Sequence, residues 1–111
     1  MGRVKVLVVE DEPLIAFDLE ATLDNLGCDT VGPTAFVTEA QELAMRETFD
    51  CAILDVNVRG GSITSVAKIL LDRGVPILLT TGYSDWALAD SLSDAPKLRK
   101  PYTSEQLESA L

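Results

Sequence analysis

The sequence predicts an α/β fold built on a doubly wound parallel sheet, and three observations carry that reading. Short apolar runs rich in Val, Ile and Leu recur along the chain, among them Val6-Leu7-Val8-Val9, Cys51-Ala52-Ile53-Leu54 and Ile77-Leu78-Leu79. Runs of this length and composition read as strands covered on both faces. Stretches of helical spacing separate them. Polar residues stand where the runs end: Glu10 and Asp11 after the first, Asp55 after another, Thr81 and Lys100 at the close of two later ones. Ligand sites in open α/β sheets gather beyond the carboxyl ends of the strands.

Residues 4–9 read as the first strand. Pro13 suits an early helical position, and Leu14, Ile15, Phe17, Leu19, Leu23 and Leu26 supply apolar positions near helical spacing until Gly27 stops the helix. Cys28 to Val31 reads as a short second strand ended by Gly32-Pro33, and Thr38 to Thr48 as a second helix with Ala40, Leu43 and Ala44 inward. The third strand, 51–54, leads into a loop from Asn57 to Gly61. Ser62 or Thr64 can cap a third helix carrying Val66, Ile69, Leu70 and Leu71, which Gly74 closes before a strand from Pro76 to Thr80. After Thr81-Gly82-Tyr83 the pattern weakens: Ser84 or Asp85 can cap a short helix to about Leu92, and Ser93-Asp94-Ala95-Pro96 reads as a turn. A fifth short strand falls near Lys97 to Arg99, and Thr103 or Ser104 caps a last helix with Leu107 and Leu111 inward. Five such repeats predict a flavodoxin-like five-stranded sheet in the order 2-1-3-4-5.

With 111 residues, 47% of them hydrophobic, the chain fits a single domain, 1–111, with a core of its own. A net charge of −9 argues against direct nucleic-acid or anionic-membrane binding. No apolar stretch reaches the roughly 20 residues of a membrane span, and the first residues run straight into a strand, which places the chain in the cytoplasm. Cys28 and Cys51 each start an apolar run, where an inert core thiol is the ordinary finding. With no His and two separated Cys, a zinc site or a Ser-His or Cys-His catalytic pair is excluded by inventory.

The remaining chemistry belongs to carboxylates, hydroxyls and lysine. Two unit charges about 4 Å apart interact by roughly 4 kcal/mol at an effective dielectric near 20. Gathering Glu10, Asp11 and Asp55 is therefore unfavourable unless a cation sits among them, and the cluster predicts a metal.

Four fragments in this order, Val8-Val9-Glu10-Asp11-Glu12-Pro13, Ile53-Leu54-Asp55, Thr81-Gly82 and Lys100-Pro101, resemble a response-regulator receiver domain of the CheY-like type over essentially the whole length. The resemblance implies a two-component phosphoacceptor in which Asp55 takes a phosphoryl group from a sensor histidine kinase or a histidine phosphotransfer protein. It implies Mg²⁺ (or Mn²⁺) held by Asp11, Asp55 and the backbone carbonyl of Asn57, with Glu10 supporting the shell through water. Lys100 and the metal would neutralise the phosphoryl oxygens, and Thr81 would hydrogen-bond one of them. A downstream protein target or self-association would carry the output, and the chain would not be a turnover enzyme. It would be a stand-alone receiver or the receiver of a larger protein, and its ending at Leu111 within a predicted helix points to the latter.

Two departures stand out. The family commonly has an aromatic residue three positions before the conserved lysine, and Lys97 stands there. Eighteen residues separate Thr81 from Lys100, a short interval. Pro76-Ile77-Leu78-Leu79-Thr80-Thr81-Gly82-Tyr83 is similar to a receiver subgroup with the motif Pro-Phe-x-Phe-Ala-Thr-Gly-Tyr, matching at Pro76, Thr81, Gly82 and Tyr83, which makes Tyr83 with Thr81 the candidate switch.

Plainer readings compete at each residue. Asp11 or Glu12 can be a first-turn acid beside a helix dipole, Asp55 a cap, Thr81 a turn hydroxyl, Lys100 a solvated charge and Tyr83 a surface aromatic. Gly60-Gly61 lacks the spacing of a phosphate-cradling loop. The enzyme alternative is a Mg²⁺-dependent phosphatase of the haloacid-dehalogenase type. That class begins with its nucleophilic Asp and has a second Asp two residues on, whereas here the acidic pair comes first and Asn57 takes that place. A receiver-like module that binds partners without phosphorylation is a third reading, disfavoured because the reactive residues are all present.

Overall fold

Five parallel strands form one sheet in the order β2-β1-β3-β4-β5 in the computed structural model, which describes residues 4–56, 63–81, 96–100 and 102–110. The strands are β1 (Val4–Val9), β2 (Cys28–Thr34), β3 (Cys51–Asp55), β4 (Ile77–Thr81) and β5 (Lys97–Arg99). The helices are α1 (Pro13–Asn25), α2 (Val37–Arg46), α3 (Ile63–Asp72) and α4 (Ser104–Ala110). The predicted strand order is therefore the observed one. The expected helix over 84–92, Asn57, Gly60-Gly61, Ser62, Gly82, Tyr83 and Leu111 lie outside the described residues.

Side chains alternate across each strand, which explains why the apolar runs are continuous. Val6, Val8, Ile53 and Leu78 face one side and pack with Leu19 and Leu23 of α1 and Leu107 of α4. Leu7, Val9, Ala52, Leu54, Ile77 and Leu79 face the other and pack with α2 and α3 through Val37, Ala40, Ala44, Val66, Ala67 and Leu70. Cys28 and Cys51 are thiols rather than disulfide partners, half-buried at the border of the first cluster rather than sealed inside it. Burial pushes the Cys51 thiol up, away from the reactive thiolate.

Several boundaries differ from the sequence reading. In α1 the buried positions are Ala16, Leu19 and Leu23, spaced three and four apart, while Leu14 and Phe17 are 81% and 71% exposed. The apolar residues of this helix run around its circumference, and only one stripe can meet the sheet. β2 does not stop at Gly32-Pro33 but continues to Thr34. α2 starts at Val37 and ends at Arg46, where the chain turns extended at Glu47. Its terminal carbonyls are met from α3's end: the Arg73 guanidinium donates to the carbonyl of Ala44 and, at 2.7 Å, to that of Glu47. Gln41 Nε2 also donates to Ser65 Oγ at 2.8 Å, tying the two helices midway.

The last helix is capped by Thr103. Gln106 N–H donates to Thr103 Oγ1 at 3.1 Å, and Thr103 N–H donates to Gln106 Oε1 at 2.8 Å, the reciprocal arrangement of a capping box. At the other end of the sheet α3 closes at Gly74, whose φ of +77° favours glycine.

Of the two adjacent leucines of α3, Leu70 is fully buried and Leu71 is 48% exposed. Leu70→Ala is expected to lower stability by about 2–5 kcal/mol and Leu71→Ala by less than about 0.5 kcal/mol. Urea unfolding of the two variants beside the wild type checks this, and equal losses would contradict the orientation of α3.

Candidate functional site

The site forms where strands β1, β3, β4 and β5 end side by side. Val9 of β1 pairs with Leu54 of β3, so Glu10 and Asp55, each one residue further on, leave neighbouring strands at the same level. Asp55 in turn pairs with Thr80, and Thr81 pairs with Arg99, which brings Thr81 and Lys100 to the same end. Lys100 N–H donates to the Thr81 carbonyl at 2.9 Å, extending the ladder by one bond beyond β5. Glu10 N–H donates to the Thr34 carbonyl at 3.0 Å, so β2 also reaches the site.

Glu10, Asp55 and Thr81 are buried and Asp11 is half-buried. Each of the three carboxylates offers an oxygen within 4.8 Å of the others. Among them sits the Lys100 ammonium, with Nζ 2.8 Å from Glu10 Oε1 and 3.2 Å from Asp55 Oδ2. Glu10 Oε2 accepts the Glu12 N–H at 3.1 Å, which folds the acidic segment back on itself. The sequence predicts this cluster, with a metal as the cation among the acids. The structure shows that a protein cation already occupies part of that role.

One ammonium does not fully offset three acids. Burial pushes the Glu10 carboxyl up to about 7, with Asp55 adding to the rise and Lys100 opposing it. Desolvation outweighs the ion pair. Asp11 is also raised, first by partial burial and then by Asp55. The Lys100 ammonium is held above its ordinary range: burial alone would lower it, but Glu10 and Asp55 raise it more. It is a firmly charged group. With all three acids ionised, one ammonium leaves the cluster two charges from neutrality, and all its acidic donors are hard oxygens. In an octahedral shell at about 2.0–2.1 Å, ligand oxygens stand roughly 3–4 Å apart. The Asp11 and Asp55 oxygens, within 4.8 Å of each other, stand near that spacing, and Glu10 is close enough to support the shell through water, so the residues fit a small divalent cation.

The structure thus brings together Glu10, Asp11, Asp55 and Lys100 and sets Thr81 at the adjoining strand end; Asn57 and Tyr83 fall outside the described residues. Two residues went unnoticed in the sequence. Thr34 holds the Glu10 amide, and no local signal marks it because it comes after a turn-like Gly-Pro pair. Tyr102 is half-buried with its hydroxyl buried and without a hydrogen-bond partner among the described residues. Burial, and after it Glu10, pushes this phenol up to about 12. With Lys100 it lines a groove of about 760 Å³ between α1 and α4.

A family model described as the response regulator receiver domain matches residues 6–111. The phyllosphere-induced regulator PhyR of Methylorubrum extorquens is 36% identical over 84 residues, which cover 73% of this chain and 32% of PhyR. The response regulator protein PilR of Pseudomonas aeruginosa is 36% identical over 85 residues, covering 75% of this chain and 19% of PilR. The chain spans a third or less of the length of these two relatives. The solution structure of SdrG from Sphingomonas melonis Fr1 superposes with a TM-score of 0.87 at 39% identity, covering 99% of this chain and 94% of that one. The BeF3-activated conformation of SdrG, from Pseudomonas melonis Fr1, gives 0.80 at 40% identity, covering 98% and 93%.

The raised Glu10 carboxyl sets a pH dependence. The folded state binds this proton more tightly than the unfolded chain, whose carboxyl titrates near 4.5. The contribution to stability is therefore full below about 4.5 and is lost as pH rises through about 7. A shift of this size corresponds to a loss on the order of 3 kcal/mol. In chelator, wild-type stability should fall from pH 5 to pH 8 more steeply than that of Glu10→Gln. Urea titrations across that range read the difference, and parallel curves would show that Glu10 ionises freely.

Proposed function

The chain belongs to the family of response regulator receiver domains, and we propose that it acts as the phosphoacceptor of a two-component pathway with Asp55 as the acceptor. One observation carries the assignment of the residue: Asp55 is a buried carboxylate at the end of a central strand, with the Lys100 ammonium 3.2 Å away and two further acids beside it. A plain helix cap needs none of these neighbours.

The step rests on the groups present. An Asp55 oxygen forms a bond to phosphorus while the bond from phosphorus to the donor's imidazole nitrogen breaks, the imidazole leaves and takes up a proton, and an acyl phosphate results. Lys100 already contacts the attacking carboxylate, so it needs little movement to pair with a phosphoryl oxygen as charge is transferred. Thr81 donates its hydroxyl to another of these oxygens. Asp11 and Asp55 would hold Mg²⁺, or Mn²⁺ in its place, with the Asn57 carbonyl expected as a further ligand and Glu10 supporting the shell through water. When bound, the ion supplies positive charge to the phosphoryl oxygens and relieves the repulsion an incoming anion meets.

The donor is a sensor histidine kinase or a histidine phosphotransfer protein, and the output is a protein target or self-association. We place the chain in the cytoplasm; no helix among the described residues is long and apolar enough to cross a membrane. The phosphatase reading has no support: none of the relatives above is a phosphatase of that type, and the acidic pair that follows β1 precedes Asp55 at the end of β3.

Acetyl phosphate with Mg²⁺ should add one phosphoryl group to the wild-type chain, and none in excess chelator or to Asp55→Asn. Intact mass spectrometry resolves the three cases. Equal labelling of Asp55→Asn would move the acceptor elsewhere.

The switch runs through Thr81 and Tyr83, since Lys97 holds the place of the usual aromatic. BeF3 activates SdrG, and the same reagent should alter amide exchange across residues 81–96 here. Thr81→Ala should blunt that change. Unaltered exchange in this stretch, beside a normal response at 97–111 in Tyr83→Ala, would point to another relay.

A further inference from the structure

Delivering two consecutive acids to one site is a geometric problem for a strand, because successive side chains point to opposite faces. Glu10 and Asp11 can meet Asp55 together only if the chain leaves the strand at that point, and it does: β1 ends at Val9 and the chain bends at Asp11. The bend needs an anchor. Within the segment Glu10 Oε2 accepts the Glu12 N–H, but the backbone of Glu10 is fixed from outside, by the Thr34 carbonyl.

Thr34 reaches Glu10 through an irregularity in β2. Leu7 pairs with Val31 while Val9 pairs with Thr34, so two steps along β1 are matched by three along β2. The extra residue is accommodated at Gly32-Pro33, where the sequence reading ended the strand. Gly32 has φ +96°, and a Cβ there would lie 2.9 Å from the Thr34 amide nitrogen and 3.0 Å from the Val8 carbonyl oxygen. Both are main-chain atoms and cannot swing aside. A side chain at 32 would displace Thr34, whose carbonyl is the anchor. Bulges of this kind bend a strand and re-aim the residues beyond the bend.

We propose that the Gly32 bulge is a positioning device that sets Glu10, and with it Asp11, for divalent-metal binding. The proposal rests on the phosphoacceptor reading above and adds Gly32 and Thr34 to it as positioning residues remote in sequence from every site fragment. The competing reading is that the bulge merely shapes an edge strand. That reading predicts a loss of stability without a change in the site.

Gly74 provides the matched control. It too has a positive φ, +77°, but beyond its chain neighbours no atom of the described residues lies within 4 Å of where its Cβ would stand, and it precedes β4, at the opposite end of the sheet. Calorimetric titration of MgCl₂ into the wild-type chain, Gly32→Ala and Gly74→Ala separates the two readings, with thermal melts in chelator recording stability. Gly32→Ala should bind Mg²⁺ about tenfold or more weakly, as loss of outer-shell support does. Gly74→Ala should lose stability yet keep its affinity within about twofold. Wild-type affinity in Gly32→Ala, or equal weakening in both variants, overturns the positioning role while leaving the phosphoacceptor reading intact. A wild-type chain that takes up no Mg²⁺ overturns both. Should Gly32→Ala fail to fold, hydrogen exchange at the wild-type Glu10 amide decides: protection like that of the strand amides supports the anchor, and exchange at the rate of an open amide overturns it.

Discussion

The contact of one ammonium with two buried carboxylates constrains much of what surrounds it. Glu10 and Asp55 are almost wholly removed from water, where a carboxylate loses its hydration and gains nothing unless charge or hydrogen bonds replace it. Lys100 supplies charge to both. The compensation is incomplete, as the raised Glu10 carboxyl shows. The resting site is thus held together by a cation of its own while still favouring another. An assembly that was already neutral would have little use for a divalent ion, and one with no lysine would not keep its acids ionised.

Reaching that contact takes a long side chain and a well-placed backbone. In the order β1-β3-β4-β5, Lys100 succeeds an edge strand and Glu10 succeeds a strand three places away, roughly 14 Å at ordinary strand spacing. The long stem of lysine and the side chain of Glu10 reach across this distance to meet at 2.8 Å. The Thr81 carbonyl fixes the lysine's main chain at the right height. A displacement of Thr81 would accordingly be felt at Lys100, since the two share a hydrogen bond as well as a site.

Much of this was legible in the sequence because the relevant rules are local. Apolar runs covered on both faces give strands whatever their partners, and acids or hydroxyls at their ends mark the side where a site can form. Glu10, Asp11, Asp55, Thr81 and Lys100 were found in this way. What escaped depends on neighbours distant in sequence. Gly32-Pro33 looks like a terminator, and only pairing with β1 carries the strand past it to Thr34. Leu14, Phe17 and Leu71 have the composition of core residues, yet the sheet accepts one stripe of each helix and leaves them outside. Tyr102 gives no sign in the sequence that its hydroxyl ends up buried near the acids.

The clamp between α2 and α3 has a different electrostatic character from the site. Arg73 binds neutral carbonyl oxygens at a helix end, whereas the neighbouring Glu42–Arg46 pair joins two exposed charges at 3.7 Å. Dissolved ions screen the exposed pair within a Debye length of roughly 8 Å at physiological ionic strength. Screening weakens the attraction between two full charges more than a hydrogen bond to a neutral carbonyl oxygen. Rising ionic strength should therefore loosen the Glu42–Arg46 pair before the Arg73 contacts that join α2 to the end of α3.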